Sequence, residues 1–380
     1  MRNLKICSRC TYDESVPQID FDDEGVCSYC RQHDELEAIY PDGEEGGKIL
    51  EDMAKTIKDS AKGRKYDCIV GVSGGCDSSF LLKKTVELGL KPLAVHFDNT
   101  WNGPIATQNI FRMVNGLGVD LETYVVDSKE YDDLFRAFLV SGAYNLEAPN
   151  DLGLAAVLYR SAAKHGLKYI IEGHSFRTEG ICPLDWNYMD GRYIRSVHRA
   201  HGTRPMKTYP LLTISKFLKY VVVDGISRVR PLYYTTYNKE QVKQELNEEF
   251  GWEWYGGHHL ESRSCNFWVE YFVPRRTQID LRQLSTAALV RTEQMSREDG
   301  LKELQQPPGI PEDLVEMVKK RLQLDDDEFE AAMSLPLRTW RDFPTYKRAF
   351  ELLRPIFAPL VATGRVPKSF YLKFCFPIPR

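Results

Sequence analysis

One stretch of the 380-residue sequence constrains its fold more than any other: Val70-Gly71-Val72-Ser73-Gly74-Gly75-Cys76-Asp77-Ser78-Ser79. An apolar, β-prone run (66–72) leads into it, and a helix-like run (80–88) leaves it. A strand therefore feeds a Ser/Gly turn, and the turn opens a helix. Backbone N–H groups at such a turn and at the helix N-terminus form a ready anion site. Gly74 and Gly75 let a phosphate approach the backbone, and Ser73, Ser78 and Ser79 add hydroxyl donors. Asp77 alone would repel phosphate, but it fits if Mg²⁺ sits between the two. The Gly-Lys-Ser/Thr ending of a Walker A loop is missing.

The pattern around this turn alternates. Strands are expected over 68–72, 92–97, 121–126 and 169–172, with helices over 78–88, 105–117, 131–139 and 152–164. This predicts an α/β fold with a doubly wound parallel sheet. Ligands of such sheets bind beyond the carboxyl ends of the strands. Three polar clusters fall there: the 73–79 loop, His96-Phe97-Asp98-Asn99, and Gly173-His174-Ser175-Phe176-Arg177-Thr178-Glu179. In the last of these, Arg177 is a candidate to neutralise phosphate charge.

Nine cysteines include Cys7-x-x-Cys10 and Cys27-x-x-Cys30, two pairs with sixteen residues between them. That spacing predicts a four-thiolate Zn²⁺ knuckle. Four thiolates leave no open position for a substrate, so the zinc is expected to staple a small module. The net charge of −4 gives no bulk attraction to nucleic acid or anionic membrane. The absence of a hydrophobic leader or an apolar run of membrane-spanning length predicts a cytoplasmic location.

Residues 31–65 read as helix, linker (41–47) and helix. The aromatic stretch 186–193, followed by His198, Arg199, His201 and Arg204, reads as an acceptor-binding insert. A helix is expected over 237–250 with Asn238 as its N-cap, and Lys239 is a candidate to reach a phosphate. The Gly-broken segment 251–262 carries Trp252, Trp254, Tyr255, His258, His259 and Glu261. It reads either as a packed aromatic turn or as a second wall of the acceptor pocket. Mostly helical sequence follows. The expected organisation is a knuckle over 1–40, an α/β domain over 60–235 and a mostly helical acceptor or partner region over 236–380.

The Ser-Gly-Gly-x-Asp-Ser pattern resembles the PP-loop of the N-type ATP pyrophosphatases. Those enzymes adenylate a carbonyl oxygen and let a nitrogen or sulfur nucleophile displace AMP. A closer resemblance covers nearly the whole chain. Cys7-Ser8-Arg9-Cys10-Thr11, Phe21-Asp22-Asp23-Glu24-Gly25-Val26-Cys27-Ser28-Tyr29-Cys30 and the PP-loop look like the N-acetyl sugar amidotransferases. So do Pro231-Leu232-Tyr233-Tyr234, Tyr237-Asn238-Lys239-Glu240, Gly251-Trp252 and Gly257-His258-His259-Leu260-Glu261-Ser262. Members of that family act in lipopolysaccharide and pseudaminic or legionaminic acid pathways, converting a sugar acetamido group to an acetamidino group.

The resemblance implies ATP and Mg²⁺ at Ser73, Gly74, Gly75, Asp77, Ser78 and Ser79, with Asp98 and Asn99 at the nucleoside. It implies catalytic roles for Asp77, Ser78, Glu179 and Arg177. A nucleotide-linked N-acetyl sugar is expected against His174, Trp254, His258, His259 and Glu261. His174 and Ser175 stand where the family is pictured with an acidic residue and an amide. No glutaminase motif is recognisable, so ammonia is expected from a separate glutaminase subunit and a channel-forming barrel subunit, both similar to those of imidazole glycerol phosphate synthase. Two other readings are a tRNA thiolase, which also joins a PP-loop to zinc-binding cysteines, and a binding module whose PP-loop is inert.

Overall fold

Two knuckle turns, the second running into the first helix, bring the N-terminal cysteines together in a computed structural model that describes residues 4–257 and 260–378. Helices α1 (Ser28–Ile39) and α2 (Gly43–Ser60) follow. The expected linker is shorter than 41–47, because α2 already begins at Gly43. Gly46 allows this tight packing, since a Cβ there would press on the carbonyls of Pro41 and Tyr234.

The chain then runs β1 (Cys68–Gly71), α3 (Cys76–Glu87), β2 (Pro92–Asp98), α4 (Pro104–Leu117), β3 (Asp120–Val125), α5 (Ser128–Val140), α6 (Ala148–His165) and β4 (Tyr169–Ile171). After α7 (Gly191–His201) and α8 (Ile214–Leu218), which continues as a π-helical turn, comes β5 (Ser227–Val229). All strand pairs are parallel, in the order β3-β2-β1-β4-β5. Helices cover both faces, so β1 and β2 are almost continuously apolar and buried. The order reverses between β1 and β4, and the loops after these two strands therefore open a crevice at the carboxyl edge.

β5 and α7 were not expected from the sequence. β5 is three residues long and lies among charged neighbours, too short for its period to register. α7 begins where an aromatic loop was expected, because the Asp190 carboxylate accepts from the N–H groups of Arg192 and Tyr193, both at 2.8 Å. The aromatic residues there belong to the core: Trp186, Tyr188 and Tyr193 are buried, and Tyr188 stacks on Trp340 at 4.3 Å. His198 Nε2 lies 3.2 Å from the buried Asp133 carboxylate. The aromatic residues and His198 therefore pack into the core instead of lining an acceptor pocket, whereas Arg199 and Arg204 stay exposed.

The remainder is helical, as expected. α9 (Lys239–Phe250) is capped by Asn238, whose side chain accepts from Gln241 N at 3.0 Å. α10 (Arg263–Asn266) runs through a π-helical segment into α11 (Val273–Thr277). Then come α12 (Gln283–Arg291), α13 (Arg297–Gln305), α14 (Leu314–Leu322) and α15 (Asp326–Ser334). Asp325 and Glu328 form a capping box on α15. α16 (Lys347–Leu352), α17 (Arg354–Ala362) and α18 (Lys368–Cys375) close the chain. Among the described residues no helix is long and apolar enough to cross a membrane.

Candidate active site

The turn between β1 and α3 is held by its own side chains. Gly75 N donates to Ser73 Oγ at 3.2 Å, and Ser78 Oγ donates to the Gly75 carbonyl at 3.1 Å. The Ser73 and Ser78 hydroxyls lie 3.2 Å apart. Gly74 has φ +82°, and a Cβ there would overlap the Ala106 carbonyl, so only glycine fits. Its own carbonyl accepts from Trp252 Nε1 at 3.1 Å and Asn109 Nδ2 at 3.3 Å. The carbonyl is thereby held among donors. The Tyr255 hydroxyl lies against Cys76 N–H.

Asp77 is buried behind this turn. Its Oδ2 is 2.9 Å from Lys239 Nζ, at the start of α9. Its Oδ1 accepts from Tyr237 Oη and, at 3.3 Å, from Thr178 Oγ1. Burial opposes the charge on Lys239, but Asp77, Cys76 and Glu179 together hold the ammonium above its ordinary value. Three separate segments, the loops after β1 and β4 and the head of α9, thus meet on one carboxylate. The sequence analysis assigned no contact with Asp77 to Tyr237 or Thr178. A hydroxyl gives no sequence signal of which carboxylate it will meet across the fold.

The loop after β4 packs directly on α3, since a Cβ on Gly173 would touch Ser78 Cα at 3.4 Å. Glu179 accepts from His174 Nδ1 and from Ser175 N at 3.4 Å. Arg177 is not brought to the phosphate turn. Its guanidinium is buried on the opposite side, donating to the carbonyls of Tyr233 and, at 2.9 Å, Tyr40. Lys239 stands where Arg177 was expected. Just after β4, Glu172 is held in half-buried ion pairs with Arg228 and Arg230.

Beyond β2, Asp98 Oδ1 accepts from Thr100 N at 2.7 Å and Asn99 Oδ1 from Trp101 N at 2.9 Å, so both side chains shape the loop. Asn99 Nδ2 also donates to Asn150 Oδ1 at 2.8 Å. His96 donates from Nδ1 to the Val72 carbonyl at 2.9 Å and accepts from Asn102 at Nε2, also 2.9 Å. Burial pulls its pKa below the ordinary value, and it stays neutral. Trp252, Tyr255 and Glu261 close over the turn. A Cβ on Gly75 would lie 3.1 Å from Tyr255 Oη and 3.4 Å from Glu261 Oε1. Trp254 is half exposed, with Lys243 Nζ 3.7 Å above its ring. His258 and His259 lie outside the described residues.

The four knuckle cysteines are buried, and their sulfurs all lie within 4.8 Å of one another. Four converging thiols suit a tetrahedral Zn²⁺ ion. Backbone N–H groups of Arg9, Cys10 and Cys27 point at Cys7 Sγ from 3.2–3.4 Å. The buried guanidinium of Arg291 reaches Cys10 Sγ and Cys30 Sγ, both at 3.3 Å, where it can balance thiolate charge. The knuckle core also includes Phe176. The loop that carries Thr178 to Asp77 is thus supported from behind by the cysteine module.

Residues 261–356 match the family described as LPS biosynthesis protein WbpG-like, C-terminal domain. Over 322 residues the chain is 27% identical to the uncharacterized protein MJ1599 of Methanocaldococcus jannaschii, covering 83% of this chain and 98% of that protein. Among solved structures it is similar to NMN synthetase from Francisella tularensis, with TM-score 0.33, 13% identity and coverage of 77% of this chain and 98% of that one. It is also similar to NH3-dependent NAD synthetase from Campylobacter jejuni, with TM-score 0.32, 14% identity and the same coverage. These two likenesses are too distant to bear on the reaction. The segment that matches the WbpG-like C-terminal domain of LPS biosynthesis proteins begins at Glu261, against the phosphate turn.

Proposed function

We propose that the protein is an ATP-dependent amidotransferase that converts the acetamido group of a nucleotide-linked N-acetyl sugar to an acetamidino group, in surface polysaccharide or nonulosonic acid synthesis. The observation that carries this reading is the buried Asp77–Lys239 pair at the Ser/Gly turn, roofed by the first residue of a WbpG-like domain.

An amide oxygen is a poor leaving group, and adenylation by ATP turns it into one. The turn's amides and the Ser73, Ser78 and Ser79 hydroxyls would take the phosphates. Lys239 would exchange Asp77 for the pyrophosphate oxygens and follow the charge as it develops. Asp77, released from Lys239, is then the natural ligand for Mg²⁺. Asp77 belongs to no compact carboxylate cluster among the described residues, which suits an ion usually bound by one or two carboxylates plus phosphate. When bound, Mg²⁺ would neutralise the pyrophosphate. Ammonia would attack the adenylated carbon, and AMP would leave. Glu179 and Glu261 face this space, as does the roof formed by Tyr255, which would help exclude water from a hydrolysable imidate. Zinc at the knuckle would be structural. Ammonia would come from a partner glutaminase through a barrel-shaped partner.

A thiolase would need a reactive cysteine near the turn. Cys76 is buried, and burial together with Asp77 pushes its thiol up to about 12, which counts against that chemistry.

The test is turnover with MgATP and ammonium against a panel of UDP- and CMP-linked N-acetyl sugars. AMP and pyrophosphate formed only with an N-acetyl sugar, with a product in which NH replaces O, are expected. AMP formation with no change in any sugar would reject the acceptor assignment.

A further inference from the structure

Helices α16 and α17 pack inward through Phe350, Phe357 and Leu360, all buried. Leu353 joins the two with little break. Its N–H donates to the Ala349 carbonyl at 2.9 Å, and its own carbonyl accepts from Phe357 N at 3.2 Å. Helical spacing therefore carries across the junction. Leu352, Pro355, Ile356 and Pro359 stand at i, i+3, i+4 and i+7, and all four are exposed, Leu352 at 81% and Ile356 at 47%. One exposed leucine needs no explanation, but an apolar row along the outer face of two helices does.

The row is rimmed with cations. Arg348 stands one turn before Leu352 on the same face, and Arg354 and Arg365 are exposed along the same segment. Residues 343–380 hold seven Lys and Arg against one acidic residue, Glu351, in a chain whose net charge is −4. Arg348 also lines a cleft of about 460 Å³ shared with the head of α7. Arg192, Arg341 and Lys347 are the other cations of its lining, Trp340 is part of its wall, and no Asp or Glu lines it. Arg341 is paired with Asp185. Lys347 donates to the carbonyls of Lys373 at 2.6 Å and Phe376 at 2.5 Å, with Glu351 3.8 Å away. Arg192 and Arg348 are exposed and form no ion pair among the described residues. Arg195 and Arg199, also exposed, continue the basic edge one and two turns along α7.

We propose that this face seats the protein on an anionic lipid surface. Lipid phosphates enter the cleft at Arg192 and Arg348, whose planar forks suit phosphate oxygens. Leu352, Ile356 and the two prolines lie at the boundary between headgroups and acyl chains. The charge of the whole chain supplies no such attraction. The local surplus does, because salt confines electrostatic forces to about 10 Å and clustered arginines beside an apolar helix face draw anionic headgroups. No helix among the described residues can cross a bilayer, so the association is interfacial. Nucleic acid would engage the arginines through its phosphates but leave the apolar row against water.

The experiment is sedimentation of the full chain with vesicles of phosphatidylcholine alone and of phosphatidylcholine mixed with phosphatidylglycerol. Binding is expected only to the mixed vesicles and falls as salt rises. Arg192→Gln combined with Arg348→Gln is expected to weaken it by roughly 30-fold, the effect of two surface cations. Leu352→Asp is expected to weaken it at low and high salt alike. All three side chains are exposed, so the melting temperature without vesicles should not move. Absence of binding to the mixed vesicles, equal binding to phosphatidylcholine alone, or binding unchanged in both variants would overturn the proposal. So would a dimer in solution that Leu352→Asp dissociates, which assigns the face to a second copy of the chain. Stabilisation by soluble glycerol phosphate that the double arginine variant loses, with no vesicle binding, would assign the cleft to a free phosphate ligand and likewise overturn it.

Discussion

At the scale of single residues, Asp77 and Lys239 carry the account. They form a buried pair, and removing one partner leaves the other charge unpaired in a poorly solvated place. Lys239→Ala is expected to cost roughly 3–5 kcal/mol of stability, read by denaturant melts. The same variant should lower the AMP-forming kcat by about 10²–10³, the usual loss for one charge-stabilising group. Lys239→Arg should restore stability better than activity, because a planar fork does not replace a point charge. Glu147 gives a pH signature. Its folded-state pKa lies above the ordinary carboxyl value, so the native state binds the extra proton. Its contribution is full below the unfolded value near 4.5 and is lost as pH rises through about 8. Wild type should therefore lose stability across that window, and Glu147→Gln should flatten the slope in melts taken at successive pH values.

At the scale of elements, the phosphate turn depends on a glycine in left-handed backbone pressed against α4. Gly74→Ala adds strain at φ +82° and a clash with the Ala106 carbonyl. The backbone term alone is worth about 1–3 kcal/mol. Weakened nucleotide binding is expected by calorimetry, with far-ultraviolet circular dichroism unchanged; unaltered binding would mean that the turn does not hold phosphate.

Much of this element was legible in the sequence. The apolar run, the Ser/Gly turn and the following helix each have a strong local signature, and the Asn238 cap and the Asp325–Glu328 box announce α9 and α15. β5 and α7 were not legible. β5 is stabilised by pairing with β4 rather than by its own pattern. α7 begins with Gly191 and carries His and Arg residues, so its buried face of Tyr193, Ile194 and Val197 was masked by an aromatic, polar-looking stretch. In the site, the turn residues were foreseeable from spacing. The partners of Asp77 were not, because Thr178 and Tyr237 lie 101 and 160 residues away in sequence. Arg177 illustrates the converse: a cation in the right loop faces the other way because backbone carbonyls of Tyr40 and Tyr233 capture it.

At the scale of the whole molecule, the cysteine module, the loop after β4 and the C-terminal helices are one mechanical unit. Arg291 of α12 bonds the knuckle sulfurs, and Arg297 of α13 donates to the carbonyl oxygens of Cys7 and Cys10. Phe176 lies in the same apolar cluster, two residues before Thr178. Metal at the knuckle should therefore be felt at Asp77. Chelation, or Cys10→Ser, is expected to lower Tm and to raise hydrogen exchange in 173–180 as well as in the knuckle. Protection of 173–180 that survives metal loss would show that the knuckle does not support the site.

The central claim is that the acetamido oxygen is adenylated before nitrogen replaces it. The most direct measurement uses an acceptor sugar whose acetamido carbonyl carries a heavy oxygen isotope, turned over with MgATP and ammonium. The account predicts that the label leaves in AMP, with unlabelled pyrophosphate and an acetamidino product free of the label. Label found in water or retained in the sugar while AMP forms unlabelled would contradict it.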